Sequence, residues 1–203
     1  MSDIAPPNLA PLRGFIQAMT RLADQSPTES RWLAEGETLL ATLIARDDWL
    51  PEALAEPGPT YRQYLLHCDP LERFSVVSFV WGIGQRTPIH NHKVWGLVGM
   101  LRGAEVSVTM HPEPGSPMRT GQVDHLKPGE VVGVGSSEDD VHWVENAIPD
   151  RPSISIHVYG GNIGAIERHT FDAQTSAKKR FVSGYTNTAV PNLWDRSVEL
   201  TQG

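Results

Sequence analysis

His90 and His92 stand one residue apart in "TPIHNHKVWG". On a strand, alternate side chains share a face, so both imidazoles would leave the same side and could offer two nitrogen ligands to one metal ion. A pair in a surface loop, or a pair bonded to backbone carbonyls, fits the same letters. A second stretch, "SISIHVYGG", sets Ser155, His157 and Tyr159 in alternation with Ile154, Ile156 and Val158. On one strand a hydroxyl, an imidazole and a phenol would then stand in a row, each able to donate and accept, as a proton relay requires. The same alternation describes a half-buried strand whose polar face meets water.

These residues need rigid elements to hold them. Leu12, Phe15, Ile16, Met19 and Leu22 recur at helical spacing and form one apolar stripe. "SPTE" predicts the start of a second helix, with Ser26 as N-cap, Pro27 at the first helical position and Glu29 closing a capping box. Trp32, Leu33, Leu39, Leu40, Leu43 and Ile44 continue it, and a short third helix is expected from Pro51. "EPGPT", Glu56 to Thr60, breaks the helical pattern. Beyond it the period becomes two. "YRQYLLHC", "RFSVVSFVWGIG", "VWGLVGML", "AEVSVTMH", "EVVGVG", "HWVEN" and "SISIHVYG" read as short strands divided by turn residues, and "RFVSGY" as an edge strand. The expected fold is mainly β: an antiparallel barrel over 57–203 with a helical layer, 1–56, packed on it.

The chain's 203 residues, 39% of them hydrophobic, suit one domain with a sizeable core. A formal net charge of −7 argues against a nucleic-acid partner. No apolar run approaches the roughly 20 residues of a membrane span, and the first residues do not read as a signal peptide. A lone cysteine, Cys68, makes no internal disulfide and fits a cytoplasmic setting. The oligomeric state is left open.

The order Gly84, His90-x-His92, Gly103, then Pro128-Gly129-Glu130, then His142 and Asn146 resembles the two signature motifs of the cupin superfamily. That resemblance implies a jelly-roll barrel with His90, His92 and His142 as metal ligands. Many cupins carry a glutamate ligand four residues after the second histidine, where this chain has Gly96. Three neutral imidazoles leave the full charge of a divalent ion on the site, which favours anionic incoming ligands. The Ser155, His157, Tyr159 row resembles the relay of the thiol dioxygenases, a cupin branch that includes cysteine dioxygenase and 3-mercaptopropionate dioxygenase. The resemblance spans about Tyr61 to Tyr185. It implies ferrous iron as cofactor, a small carboxylate-bearing thiol and O₂ as substrates, and sulfinate as product.

Animal-type members hold the substrate carboxylate with an arginine at the place of Gln63 and carry a cysteine near the iron, for which Gly96 is the counterpart. Bacterial 3-mercaptopropionate dioxygenases show the Gln and use an arginine after the relay strand, which here is Arg168. Cysteine as the thiol, a metal-binding cupin without turnover, and a zinc or manganese hydrolase or isomerase are the competing readings. His67 shares strand parity with Gln63 and is expected to line the pocket, and Trp95 and Trp143 to wall the metal. His111, His125 and His169 are expected in exposed, turn-like places.

Overall fold

Strand alternation decides which side chains face the interior of this chain and which lie under its helices. The computed structural model describes residues 8–138 and 140–195, so the outer ends of both expected segments, 1–56 and 57–203, lie outside the described residues. Two helices, α1 (Ala10–Ala23) and α2 (Glu29–Ile44), and a 3₁₀ turn (Glu52–Leu54) precede the strands. These are β1 (Arg62–Cys68), β2 (Ser75–Trp81), β3 (Ile89–His90), β4 (Gly96–Arg102), β5 (Glu105–His111), β6 (Arg119–Leu126), β7 (Val131–Val134), β8 (His142–Asn146), β9 (Ser153–Tyr159), β10 (Arg168–Phe171) and β11 (Lys178–Phe181). They form a five-stranded sheet, β1-β2-β9-β4-β7, and a six-stranded sheet, β11-β10-β3-β8-β5-β6. The mainly β, jelly-roll architecture with an N-terminal helical layer is the one the chain adopts.

The expected apolar stripe of α1 is buried along its length. The second helix starts later than the capping-box reading. Its N-cap is Thr28, whose hydroxyl accepts from the Arg31 N–H at 3.4 Å. Ser26 instead lies in the turn after α1, in a left-handed conformation, φ 48°. Glu29 makes no capping box; its carboxylate accepts from the Ser136 N–H and hydroxyl and ties α2 to the segment after β7.

Both helices cover the outer face of the five-stranded sheet. Leu12, Phe15, Met19, Leu40 and Ile44 share one apolar cluster with Val76, Val80, Leu97, Ile154, Ile156 and Val158. Fully burying a side chain of this size contributes about 1.5–3 kcal/mol. Approach is close: a Cβ on Gly36 would stand 2.7 Å from Leu97 Cδ1. The opposite side chains of the same strands, Val77, Phe79, Trp81 and Tyr159, form an inner cluster with Val144 of the facing sheet. Every residue of β9 is therefore buried, and its polar face meets the barrel interior rather than water.

Three strands lie outside the expected set. β6 is mostly exposed and polar, so it carries no alternation to detect. β3 is two residues long and β10 four. The edge strand expected at "RFVSGY" begins earlier, at Lys178. His111, His125 and His169 lie on β5, β6 and β10 rather than in turns; the first two are exposed and His169 is half-buried. Among the described residues, no helix is long and apolar enough to cross a membrane.

Candidate metal centre

His90, His92 and His142 converge, although only two of them sit on strands. β3 ends at His90, and His92 lies just past it, where Lys93 turns the chain at φ 62°. His90 is the ladder partner of His142 across β3 and β8. Two polar residues fix this arrangement. Thr87 bonds Val144 in both directions, N–H to carbonyl at 2.9 Å and hydroxyl from N–H at 3.0 Å. Buried Asn91, between the two histidines, clips the loop to β10 by accepting from the His169 N–H at 3.0 Å. Neither was singled out in the sequence, because a buried threonine and asparagine show no period of their own.

The ring centroids stand 4.9 to 5.0 Å apart pairwise, and one ligand nitrogen from each ring lies within 4.8 Å of the others. The His90 Nδ1–H donates to the Pro88 carbonyl at 2.9 Å. A carbonyl can only accept, so the Nε2 lone pair is left for a metal. Burial, with the neighbouring imidazoles adding to it, pushes the His90 and His92 pKa values well below normal. Burial takes His142 down to about 4. All three are thus held in the neutral form that binds metal. His92 Nδ1 is buried without a hydrogen-bond partner. Three convergent neutral imidazoles, one nitrogen orphaned and no carboxylate beside them among the described residues, fit a divalent ion with open coordination positions.

The triad opens into a cavity of about 320 Å³. Gln63, His157, Tyr159 and Arg168 line it with the three histidines. Ser155 is one step behind. Its hydroxyl lies 2.8 Å from His157 Nε2, and His157 Nδ1 lies 2.8 Å from the Tyr159 hydroxyl. Phe79 stacks on the His157 ring at 4.1 Å, and burial lowers that imidazole to about 3. Burial pushes the Tyr159 phenol up, so relay members stay neutral. Gly96 pairs with Tyr159 across β4 and β9, and a Cβ there would stand 3.1 Å from the tyrosine ring.

Arg168 is 4% exposed, yet no carboxylate pairs with it among the described residues. Its Nη2–H donates to Ser183 Oγ at 2.8 Å, its guanidinium lies 4.7 Å from the Phe181 ring centroid, and its Nε finds no partner. Burial lowers its pKa, the sign of a cation held without an anion.

Several expectations fail here. His67 does not line this cavity: a register shift between Leu65 and His67 breaks the alternation, and the imidazole packs near Phe74 with ring centroids 5.8 Å apart. Trp95 stacks on Trp32 under the helices at 4.7 Å, and Trp143 points to the other face of β8, where Arg86 lies over it. The apolar walls are Phe79, Trp81, Val98 and Val144. Tyr61, Phe181 and Ser183 also line the cavity, and were missed. Asn146 holds the frame: its amide donates to the Trp81, Gly82 and Arg151 carbonyls.

No family model matches the chain. Among solved structures, it is similar to an uncharacterized conserved protein with a double-stranded β-helix domain from Klebsiella pneumoniae, with 20% identity over 58% of this chain and 93% of the other and a TM-score of 0.44. It is similar to the DMSP lyase DddQ from Ruegeria pomeroyi, with 17% identity over 66% of each chain and a TM-score of 0.40. A cupin protein with a double-stranded β-helix fold from Methanocaldococcus jannaschii matches at 17% identity over 51% of this chain and 83% of the other, with a TM-score of 0.38.

Proposed function

We propose that this protein is a non-haem iron thiol dioxygenase that adds both atoms of O₂ to the sulfur of 3-mercaptopropionate, giving the sulfinate. The observation that carries the reading is the unpaired, buried Arg168 guanidinium lining the same cavity as three neutral histidines. A buried cation without an anion is unfavourable, and a ligand carboxylate held in two parallel hydrogen bonds relieves it. His90, His92 and His142 would hold the ion, which supplies coordination positions and redox chemistry for thiol and O₂.

The remaining work belongs to the chain. Arg168 holds the carboxylate, with Gln63 beside it on the cavity wall. Phe79, Trp81, Val98 and Val144 exclude water from the reacting sulfur. Tyr159 donates its hydroxyl proton toward the cavity when His157 Nδ1–H donates to the phenol oxygen, and Ser155 sets which tautomer His157 adopts. Among the described residues lining the cavity there is no Asp or Glu to meet the ammonium group of cysteine, whereas Arg168 and Lys179 are both present. This favours a thiol acid without an amine.

The test is oxygen uptake by iron-loaded protein with 3-mercaptopropionate, cysteine and a thiol lacking a carboxylate, alongside metal analysis of protein purified without added metal. Uptake fastest with 3-mercaptopropionate is expected. A kcat/KM far higher for cysteine overturns the substrate, and no uptake with any thiol overturns the activity.

A further inference from the structure

Glu105 is 2% exposed, and its Oε1 is buried with no hydrogen-bond partner. The alternation of β5 explains its place. Val106 and Val108 join the cluster on the outer side of the six-stranded sheet, so Glu105, Ser107 and Thr109 point inward. These three line a second cavity of about 400 Å³, on the far side of a wall made by Val98, His142 and Val144, which line both cavities. Its rim carries exposed Asp124, His125 and Glu130.

Glu105 also meets the far end of the relay. The nearby Ser155 hydroxyl and Trp81 indole N–H favour its charged form. Trp81 Nε1–H donates to Ser155 Oγ at 3.1 Å, and an indole can only donate. When Tyr159 donates to His157 Nδ1, the Nε2–H donates to Ser155, both serine lone pairs are filled, and the serine proton is left to point at Glu105. When Ser155 donates to Nε2 instead, the direction of every bond reverses and the phenol proton faces the first cavity.

We infer that Glu105 is the outer terminus of the Tyr159–His157–Ser155 relay and exchanges protons with solvent through the second cavity. This rests on the thiol dioxygenase reading, in which RSH and O₂ become RSO₂⁻ and H⁺. One proton must leave per turnover, while the substrate itself fills the first cavity. The thiol gives its proton to the Tyr159 oxygen as the phenol proton passes to His157 Nδ1, the Nε2 proton to Ser155 and the serine proton to the Glu105 carboxylate, and the second cavity takes it to water. Burial raises the Glu105 carboxyl to about 7, so it can take up and release a proton near neutrality. The titratable groups that line the second cavity with it are His142 of β8, Asp124 and His125 of β6, and Glu130 and Asp140, while His157 and Tyr159 of β9 stand behind Ser155. Among the described residues lining that cavity there is no lysine or arginine to hold the carboxylate charged.

Two measurements test this. In metal-free protein carrying carbon-labelled glutamate, the Glu105 carboxyl resonance is expected to titrate near neutral pH, and Ser155→Ala to move its midpoint upward by removing the hydroxyl that favours the carboxylate. A midpoint near the ordinary 4.5, or one indifferent to Ser155→Ala, overturns the inference. In iron-loaded protein, Glu105→Gln is expected to lower kcat by about tenfold or more, to flatten the pH dependence of kcat near neutrality, and to leave KM and iron content unchanged. Glu105→Asp should recover part of kcat. An active wild type with an indifferent Glu105→Gln overturns this inference alone. A wild type inactive with every thiol overturns the thiol reading and the turnover role of Glu105 with it.

Discussion

Arg168→Met separates ligand capture from folding, because the structure gives the two effects different sizes. Methionine keeps an apolar stem of similar reach and removes the charge. On the folding side, the variant loses the Nη2 bond to Ser183, worth about 1 kcal/mol, and the contact over Phe181, worth about 0.5–1 kcal/mol. It also removes a buried cation with no counter-ion among the described residues and an orphaned Nε, and relieving that desolvation offsets a loss of this size. The terms nearly cancel, so the melting temperature should change little. On the binding side, truncating one partner of a buried charge pair costs about 2–5 kcal/mol. A loss near the middle of that range, about 3–4 kcal/mol, weakens affinity roughly 100-fold to 1,000-fold at 1.4 kcal/mol per tenfold. Anaerobic calorimetric titration of 3-mercaptopropionate into iron-loaded protein reads this directly. A simple alkanethiol without a carboxylate should bind wild type and variant alike. An unchanged Kd for the thiol acid, or a steep fall in melting temperature, would show that Arg168 is a structural residue.

Tyr159→Phe removes the hydroxyl bonded to His157 and is expected to cost about 1 kcal/mol of stability while lowering kcat and leaving KM and metal content alone; steady-state kinetics and denaturant titration check both, and an unaltered kcat refutes the relay. Gly96→Ala places a Cβ 3.1 Å from the Tyr159 ring, so the ring must shift; kcat should fall with metal content retained, and wild-type turnover would show the contact to be yielding. Glu105→Gln should alter stability with a defined sign. The folded pKa of about 7 lies above the ordinary 4.5, so the charged form is the one burial disfavours. The contribution of protonated Glu105 is fully present below pH 4.5 and is lost as pH rises through 7. Metal-free Glu105→Gln should therefore match wild type at acid pH and exceed it above pH 7 by a few kcal/mol; equal urea midpoints at pH 8 would contradict the burial argument.

The parts of this fold legible in the sequence are those where burying one apolar face imposes a period. β9 and α1 show it plainly, since each must satisfy one apolar face along its whole length. β6 was invisible because an exposed edge strand has no face to bury. His67 was misplaced because a register shift reverses parity, and nothing in "YLLHC" announces it. The tryptophans were misplaced by sequence adjacency: on a strand, the neighbour of an inward histidine points outward, as Trp143 does. Thr87 and Asn91 hold the loop through backbone bonds between distant segments, which leave no local trace. Glu105 was readable in principle, because "EVSVT" alternates and puts an acid on the inner face. The triad, the relay row, Gln63 and Arg168 were each proposed from separate segments, and the fold brings all but Ser155 to the wall of one cavity, with Ser155 bonded behind it.

The most direct test of the dioxygenase proposal is the fate of the oxygen atoms. Iron-loaded protein is incubated with 3-mercaptopropionate under isotopically labelled O₂ and the product is weighed by mass spectrometry. The expected result is the sulfinate with both oxygens on sulfur carrying the label. A sulfinate that takes its oxygen from water, a disulfide, or unreacted thiol would contradict it.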